Sequence, residues 1–286
     1  MISSVLITGG SGYFGQAMTR YLMHDVSIER ICVYSRGEYA QALMRENIPD
    51  PQSRIRYFIG DVRDGARLRQ AMDGCDTVIH AAALKRIEVI EYNPGEAVKT
   101  NILGTMNVID AATAAGVKRV IYLSTDKACQ PRNAYGATKL SAEKLILAAN
   151  NARGQHGPLF NATRYGNIAG STGSVIPTWR MHLQAGLGPI YITDPEATRF
   201  WMTLDEALDL VIEAALREVG GHLIVPHLPA YSLFDLAIAM NVPRPFHVTG
   251  LRQGEKLHER MLEDGPDSSE VQRLTVDELK EKLRSI

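Results

Sequence analysis

The first fifteen residues constrain the fold more than any other stretch. Val5-Leu6-Ile7-Thr8 is a short apolar run of strand type, and it leads directly into Gly9-Gly10-Ser11-Gly12-Tyr13-Phe14-Gly15. Met18, Leu22 and Met23 then recur at helical spacing. A strand, a glycine turn and a helix in this order form a cradle for a pyrophosphate. The glycines at 9, 12 and 15 provide a tight turn, close backbone approach and close helix–strand packing. The helix start then presents free N–H groups to the phosphates. The competing reading is a glycine-rich turn that only packs. Its position after the first strand of an alternating chain favours the dinucleotide.

Further strand-type runs follow at Ile31–Tyr34, Ile55–Ile59, Thr77–His80, Val120–Leu123 and 160–165, separated by helical segments. These include a long helix over Pro94–Ala115 and another from Tyr135 to about Ala149. This alternation predicts an α/β fold: a Rossmann-type, doubly wound, mostly parallel sheet with a small C-terminal α/β cap that binds substrate. Residues 1–166 are expected to form the nucleotide-binding domain, which also holds the candidate reactive residues described below. Residues 167–286 form the mainly substrate-binding region, interleaved with the last strands. Its expected elements are helices at 175–187, 207–216, 233–240 and 256–262, with short strands at 190–192, 222–226 and 246–248. The last twenty residues read as charged and weakly helical.

In such a sheet, ligands sit at the carboxyl ends of strands. The second strand ends in Ser35-Arg36, where an NAD enzyme usually carries an acid for the ribose hydroxyl. Arg36 suits a 2′-phosphate and Ser35 can hydrogen-bond it, which favours NADP. Asp61 follows the third strand, placed either to hold the adenine amino group or to cap the helix after Asp64. Ala81-Ala82-Ala83 follows the fourth strand and lets a ligand lie close over the backbone. His80 reads as a satisfied buried histidine, and Lys85 as a surface lysine within reach of substrate. Asn101 is poorly placed for an ordinary helix interior, which implies a local polar task.

Leu123-Ser124-Thr125-Asp126-Lys127 ends the fifth strand. Tyr135-Gly136-Ala137-Thr138-Lys139 opens the following helix and puts Tyr135 and Lys139 on one face. A phenol, two amines, a carboxyl and hydroxyls thus converge, enough for proton transfer at more than one substrate atom.

Hydrophobic residues make up 45% and charged residues 22% of the 286, an ordinary globular composition. The formal net charge of -1, without a basic block, argues against a nucleic-acid partner. No apolar run approaches the ~20 residues of a membrane span, and Met1 runs almost at once into a strand without room for a signal peptide. Cys32, Cys75 and Cys129 lack metal-ligand spacing and are odd in number, so no metal and a reduced, cytoplasmic protein are expected.

Together with the early glycine turn, Tyr135-x-x-x-Lys139 resembles the extended short-chain dehydrogenase/reductase superfamily. Thr125-Asp126-Lys127-Ala128, Arg164-Tyr165-Gly166-Asn167, Thr198-Arg199-Phe200-Trp201 and Gly254-Glu255-Lys256-Leu257-His258-Glu259 narrow this to the UDP-N-acetylglucosamine 4,6-dehydratases. The pattern is most similar to the C5-inverting branch, which opens pseudaminic-acid biosynthesis. Related dTDP-glucose dehydratases carry Thr-Asp-Glu where this chain has Thr125-Asp126-Lys127. Gln253 stands where these enzymes usually have proline, and the C-terminal tail is short and unlike theirs. The resemblance implies cofactor contacts from Gly9, Ser11, Gly12, Tyr13, Phe14, Gly15, Ser35, Arg36, Asp61, Val62, Ala81, Ala82, Ala83, Tyr135 and Lys139. It implies substrate contacts from Lys85, Asn167, Val175, Thr193, Arg199, Arg252 and Glu255, and a homo-oligomer.

The implied reaction oxidises C4 of the nucleotide sugar, eliminates water across C5 and C6, and returns hydride to C6. Tyr135 takes the 4-OH proton, assisted by Thr125, and Lys139 is expected to lower the tyrosine pKa. Lys127 removes the C5 proton as a neutral amine, its pKa expected to fall through burial and the charge of Lys139. Asp126, protonated, donates to the departing hydroxyl. A nucleotide-sugar 4-epimerase needs Tyr135 and Lys139 but neither Asp126 nor Lys127. A non-catalytic NADP-binding regulator is disfavoured by the intact Tyr–Lys pair.

Overall fold

The computed structural model describes residues 2–286. Its centre is a seven-stranded, all-parallel sheet built from β1 (Ser4–Thr8), β2 (Arg30–Ser35), β3 (Ile55–Ile59), β4 (Thr77–His80), β5 (Arg119–Leu123), β6 (Leu159–Thr163) and, later in the chain, Leu223–Ile224. The strand order is β3-β2-β1-β4-β5-β6 and then the late strand. The order reverses between β1 and β4, which places a crevice at the carboxyl ends of those two strands.

Both faces of this sheet are covered, which is why its strands read as continuous apolar runs rather than alternating ones. Val5, Ile7, Ile31, Ile79 and Ile121 pack on one face with Met18 and Leu22 of helix Tyr13–Met23 and with Leu208 and Val211 of helix Leu204–Leu216. Leu6, Cys32, Val78, Val120 and Tyr122 point to the other face. There they meet Leu68, Val108 and Ile146 from helices Gly65–Met72, Gly104–Ala114 and Ala134–Ala152. The period of two in burial thus survives, although both phases are apolar.

The second half has its own core, in which Trp179, Ile192, Trp201, Leu236 and Leu279 cluster. It contains two small sheets. In one, β7 (Tyr191–Ile192) pairs with His247–Val248; in the other, β8 (Thr198–Phe200) pairs antiparallel with β9 (Ala230–Ser232). The chain thus returns to the main sheet at Leu223–Ile224, between the two strands of that antiparallel pair in sequence.

Several elements differ from the sequence-based expectation. The sixth strand stops at Thr163, and β8 and β9 are strands that three-residue runs did not announce. The long helix is π-helical over Val98–Leu103. Here Asn101 turns inward, accepting from the Leu84 N–H at 2.8 Å and donating to the Leu84 carbonyl and Thr138 Oγ1. That is the polar task its position implied. Residues 256–262 form no helix. Their composition favours one, but the Leu257 carbonyl accepts from Thr198 N and the Glu259 carbonyl from Ser268 N, so tertiary pairing overrides propensity. The tail is firmly helical over Val276–Arg284, started by a capping box of Thr275 and Glu278.

Candidate active site

The β1–helix turn is built to approach a ligand closely. Gly9 adopts φ +68, and a side chain there would press on the Ala82 backbone at 3.0 Å. The helix that follows starts at Gly12 without any side-chain cap. The N–H groups of Tyr13, Phe14 and Gly15 therefore lack intrahelical partners and point out of the helix start. This fits a dinucleotide pyrophosphate. At the rim, Ser35 Oγ accepts from Ser11 Oγ and Gln41 Nε2. Arg36 is half-exposed and lies 3.6 Å from Asp61, which is also held by Arg63. Burial pushes the Asp61 carboxyl up, but the bonds and charge of Arg63 outweigh it and leave the pKa low. Asp61 does not cap the next helix: Asp64 does, accepting from Arg67 N. Val62 is buried beside Gly104. Ala81 and Ala82 hang from Thr8 by their N–H groups, so they and Ala83 line the same crevice as Gly9. His80 is locked between Thr8 and Thr105, and burial, then Lys139, lowers its pKa to about 3. It is a neutral structural residue.

Thr125 leaves β5 extended and caps a single 3₁₀ turn, Asp126–Ala128. Helix Ala134–Ala152 is capped by Asn133, whose Oδ1 accepts from Gly136 N at 2.8 Å and whose amide reaches the Gly254 carbonyl. Helix and turn touch closely: a side chain at Gly136 would sit 2.2 Å from the Lys127 carbonyl oxygen. This contact brings Tyr135 to Thr125, Asp126 and Lys127.

Lys127 Nζ donates to Asp126 Oδ1 at 3.0 Å and to Asn167 Oδ1 at 3.2 Å, and lies 3.7 Å from Glu259 Oε1. Thr125 Oγ1 donates to the same Asp126 oxygen. Asp126 Oδ2 is buried and has no hydrogen-bond partner. Burial works to lower the Lys127 pKa, but the charges of Asp126 and Glu259 outweigh it, and the ammonium is held above its ordinary range. The expected fall is therefore reversed. Lys139 plays no part in it, because its Nζ turns away to the Leu123 carbonyl and lies 4.1 Å from the Tyr122 ring centroid. It is Lys139 whose pKa falls, through burial opposed by Glu143, to about 7. Tyr135 is likewise raised, by burial first; Lys127, not Lys139, supplies the opposing positive charge, and Thr125 the opposing hydrogen bond.

Around this centre, Lys85 reaches the Thr172 carbonyl at 3.3 Å, and desolvation, then Arg86 and Lys127, lowers its pKa. Asn167 and Val175 line one small cavity together with Trp201 and Tyr231. Arg199 is buried and donates to Glu255 at 2.8 Å and to the Thr198 and Leu257 carbonyls. Thr193 Oγ1 lies 3.5 Å from the same Glu255 oxygen. Arg252 uses only its backbone N–H on Glu255, and its residue is exposed. Thr193, Arg199, Arg252 and Glu255 thus form one group, while Asn167 bonds Lys127, Lys85 feels its charge, and Val175 shares a cavity with Asn167.

Sequence reading missed two residues of this centre. Glu259 sits in a charged stretch that resembles a helix surface. Tyr231 pairs with Arg199 across β8 and β9, and burial raises its pKa to about 12 against Arg199 and Lys127. No local signal marks it, since its place depends on a three-residue strand.

Residues 5–278 match the polysaccharide biosynthesis protein family. The chain belongs to that family. The UDP-N-acetylglucosamine 4,6-dehydratase (inverting) of Campylobacter jejuni is 46% identical over 259 residues, covering 91% of this chain and 77% of the relative. A UDP-glucose 4-epimerase of Rickettsia bellii is 41% identical over 266 residues, with the same coverage of 91% and 77%. The crystal structure of Pen from Bacillus thuringiensis superposes with a TM-score of 0.93 at 35% identity, covering 99% of this chain and 98% of that one. The resemblance read from the motifs and the Rossmann-type parallel fold are both borne out by these similarities. No helix among the described residues is long and apolar enough to cross a membrane.

Proposed function

We propose that this protein is an NADP-dependent UDP-N-acetylglucosamine 4,6-dehydratase that inverts C5, giving a UDP-4-keto-6-deoxy-hexose for pseudaminic-acid biosynthesis. The observation that carries the proposal is the pair of a part-buried Lys127 and a buried Asp126, with one carboxylate oxygen engaged and the other without a partner. The high identity to the Campylobacter dehydratase supports it.

The uncapped helix start behind Gly12, with Ser11, Ser35, Arg36, Asp61, Val62 and the Ala81–Ala83 strip, would hold the cofactor, and Lys139 would hold its ribose. NADP supplies the hydride acceptor for C4 and the hydride donor for C6. Arg36 favours the 2′-phosphate because its half-exposed guanidinium has only a 3.6 Å contact with Asp61.

Tyr135 takes the proton of the 4-hydroxyl as its phenolate, a form that the Lys127 charge and the Thr125 hydrogen bond favour against burial, with Thr125 bonding the same oxygen. The 4-ketone makes the C5 proton acidic. At rest Lys127 is an ammonium and Asp126 a carboxylate, the wrong forms for elimination. Moving one proton along their 3.0 Å hydrogen bond gives an amine and a carboxylic acid without any proton from solvent. Lys127 then takes the C5 proton, Asp126 gives its proton to the 6-hydroxyl, and the C6–O bond breaks to release water. Both groups end in their resting ionic forms. The inherited ion pair is thus the stored form of the acid and base. A proton drawn from solvent on the opposite face then restores the C5–H bond and gives inversion, while Tyr135 returns the 4-hydroxyl proton to solvent.

Arg199 and Arg252 would bind the diphosphate and Glu255 the ribose hydroxyls, with Lys85, Asn167, Val175 and Thr193 completing the substrate contacts. Residues 167–286 would then serve substrate mainly, residues 1–166 the cofactor and the proton chemistry. The protein would work in the cytoplasm as a homo-oligomer.

The Rickettsia relative makes a 4-epimerase the second reading. Asp126 and Lys127 have no task in an epimerase, whose product keeps all its oxygens. The deciding experiment incubates purified protein with UDP-N-acetylglucosamine and NADP in D₂O, followed by mass spectrometry and NMR. Loss of water, with deuterium at an inverted C5, is expected. A C4 epimer of unchanged mass would replace the proposal with the epimerase.

A further inference from the structure

The buried charges do not end at the Asp126–Lys127 pair. Glu259 is 3% exposed, and its side chain lies between two lysines: Lys127 Nζ at 3.7 Å from Oε1 and Lys256 Nζ at 3.5 Å from Oε2. Lys256 spends its hydrogen bond on the Cys129 carbonyl at 2.6 Å, and Glu259 Oε2 has no hydrogen-bond partner. Asp126, Lys127, Glu259 and Lys256 therefore alternate in sign along one chain of contacts. Burying this many charges is costly unless each is paired. Nothing in the elimination uses Glu259 or Lys256.

We propose that Glu259 is a positioning residue for Lys127: it steadies Nζ against Asp126 and sets, by its charge, the pH range over which the pair keeps its single shared proton. This rests on the dehydratase reading above. Glu259 is anchored for the task from behind, since its N–H donates to Ser268 Oγ and its carbonyl accepts from Ser268 N. Ser268 Oγ in turn contacts Thr198, one residue from Arg199. The charged and titratable groups around Lys127 are Asp126, Glu259, Lys256, Arg199, Tyr135, Tyr231 and Lys85. Of these, Asp126 and Glu259 are the two carboxylates within ion-pair distance.

The pair works only while it holds one proton. Losing it ends activity at high pH, and gaining a second ends it at low pH. A negative charge beside the pair makes both protons harder to lose, so it moves both limbs up. Glu259→Gln removes that charge, keeps the side-chain shape and breaks no side-chain hydrogen bond. Both limbs of the kcat profile should move down by about one unit or more, as expected for one charge at ~4 Å. KM should stay near wild type. Solvent-deuterium exchange at C5, measured at the wild-type optimum, should slow. Lys256→Met leaves Glu259 unopposed and should move both limbs the other way. A purely structural role would lower kcat at every pH without moving either limb. Wild-type water loss from UDP-N-acetylglucosamine is established first, because its absence would refute the dehydratase instead. Given that turnover, an unmoved profile in either folded variant overturns the role of Glu259.

Discussion

Asp126 meets Lys127 with one oxygen only: Oδ1 accepts the ammonium at 3.0 Å, while Oδ2 is buried and unbonded. A surface ion pair would let both oxygens find water. Here the second oxygen awaits a donor or acceptor that the protein does not provide, and a substrate hydroxyl has the right chemistry.

The two partners should therefore fail in different ways. Lys127→Ala should abolish C5 proton exchange in D₂O while cofactor reduction in a single turnover persists. Asp126→Asn should slow water loss by about 10²–10⁴-fold, the usual contribution of a positioned acid, and should slow the exchange as well, because Lys127 loses the neighbour that takes its proton. Unchanged exchange in the lysine variant would refute its role as base. Absorbance at the reduced-nicotinamide band and mass spectrometry separate the steps.

Gly136 is set by contact, not by its own chemistry. A methyl group there would lie 2.2 Å from the Lys127 carbonyl, so Gly136→Ala should force helix Ala134–Ala152 off the turn. Overpacking of this kind costs about 1–3 kcal/mol. Thermal unfolding should show the loss, and kcat should fall with it; a variant with native stability and activity would contradict the geometry.

Lys139 gives the protein without cofactor a recognisable pH dependence. Its folded pKa of about 7 lies below the ordinary lysine value of 10.5. Between those values the unfolded chain holds a proton that the fold does not, so stability rises with pH across that window. Lys127 is shifted upward, so its stabilising contribution is complete below the ordinary lysine value and is lost only above it. Lys139→Met should remove the rise between about pH 7 and 9 and also lose activity by about 10²-fold or more. Chemical denaturation at several pH values tests the slope; a slope unchanged in the variant would assign it elsewhere.

The proposed 2′-phosphate contact makes Arg36 the residue to test for cofactor choice. Arg36→Ala should weaken NADP binding by about tenfold or more while leaving NAD nearly unchanged. Titration calorimetry with both cofactors reads the ratio, and equal losses for the two would argue against a phosphate contact.

Arg252 has its guanidinium free where Arg199 does not. Arg252→Ala should raise KM for UDP-N-acetylglucosamine with little effect on C5 exchange at saturation. An unchanged KM would count against a diphosphate role.

Much of this protein was legible in its sequence because the signals are local. Val5–Thr8 and Gly9–Gly15 specify a strand and a helix start within one turn of chain, and Tyr135 and Lys139 share a helix face by spacing alone. Repetition of such units predicts a parallel sheet, and the sheet predicts that Gly9, Arg36, Ala81 and Thr125 gather at one edge. What the sequence did not determine depends on contacts between distant segments. The pKa of Lys127 turned upward because the charge of Asp126, folded onto it, and then that of Glu259, from the far end of the chain, outweigh burial. Residues 256–262 gave up the helix their composition favours because Thr198 and Ser268 claim their backbone groups. Lys139 lost its expected influence on Tyr135 through a carbonyl at the end of β5. Periodicity and spacing fix local geometry, but the protonation of a buried amine is set by every charge within a few ångströms, and only the folded chain brings those charges together.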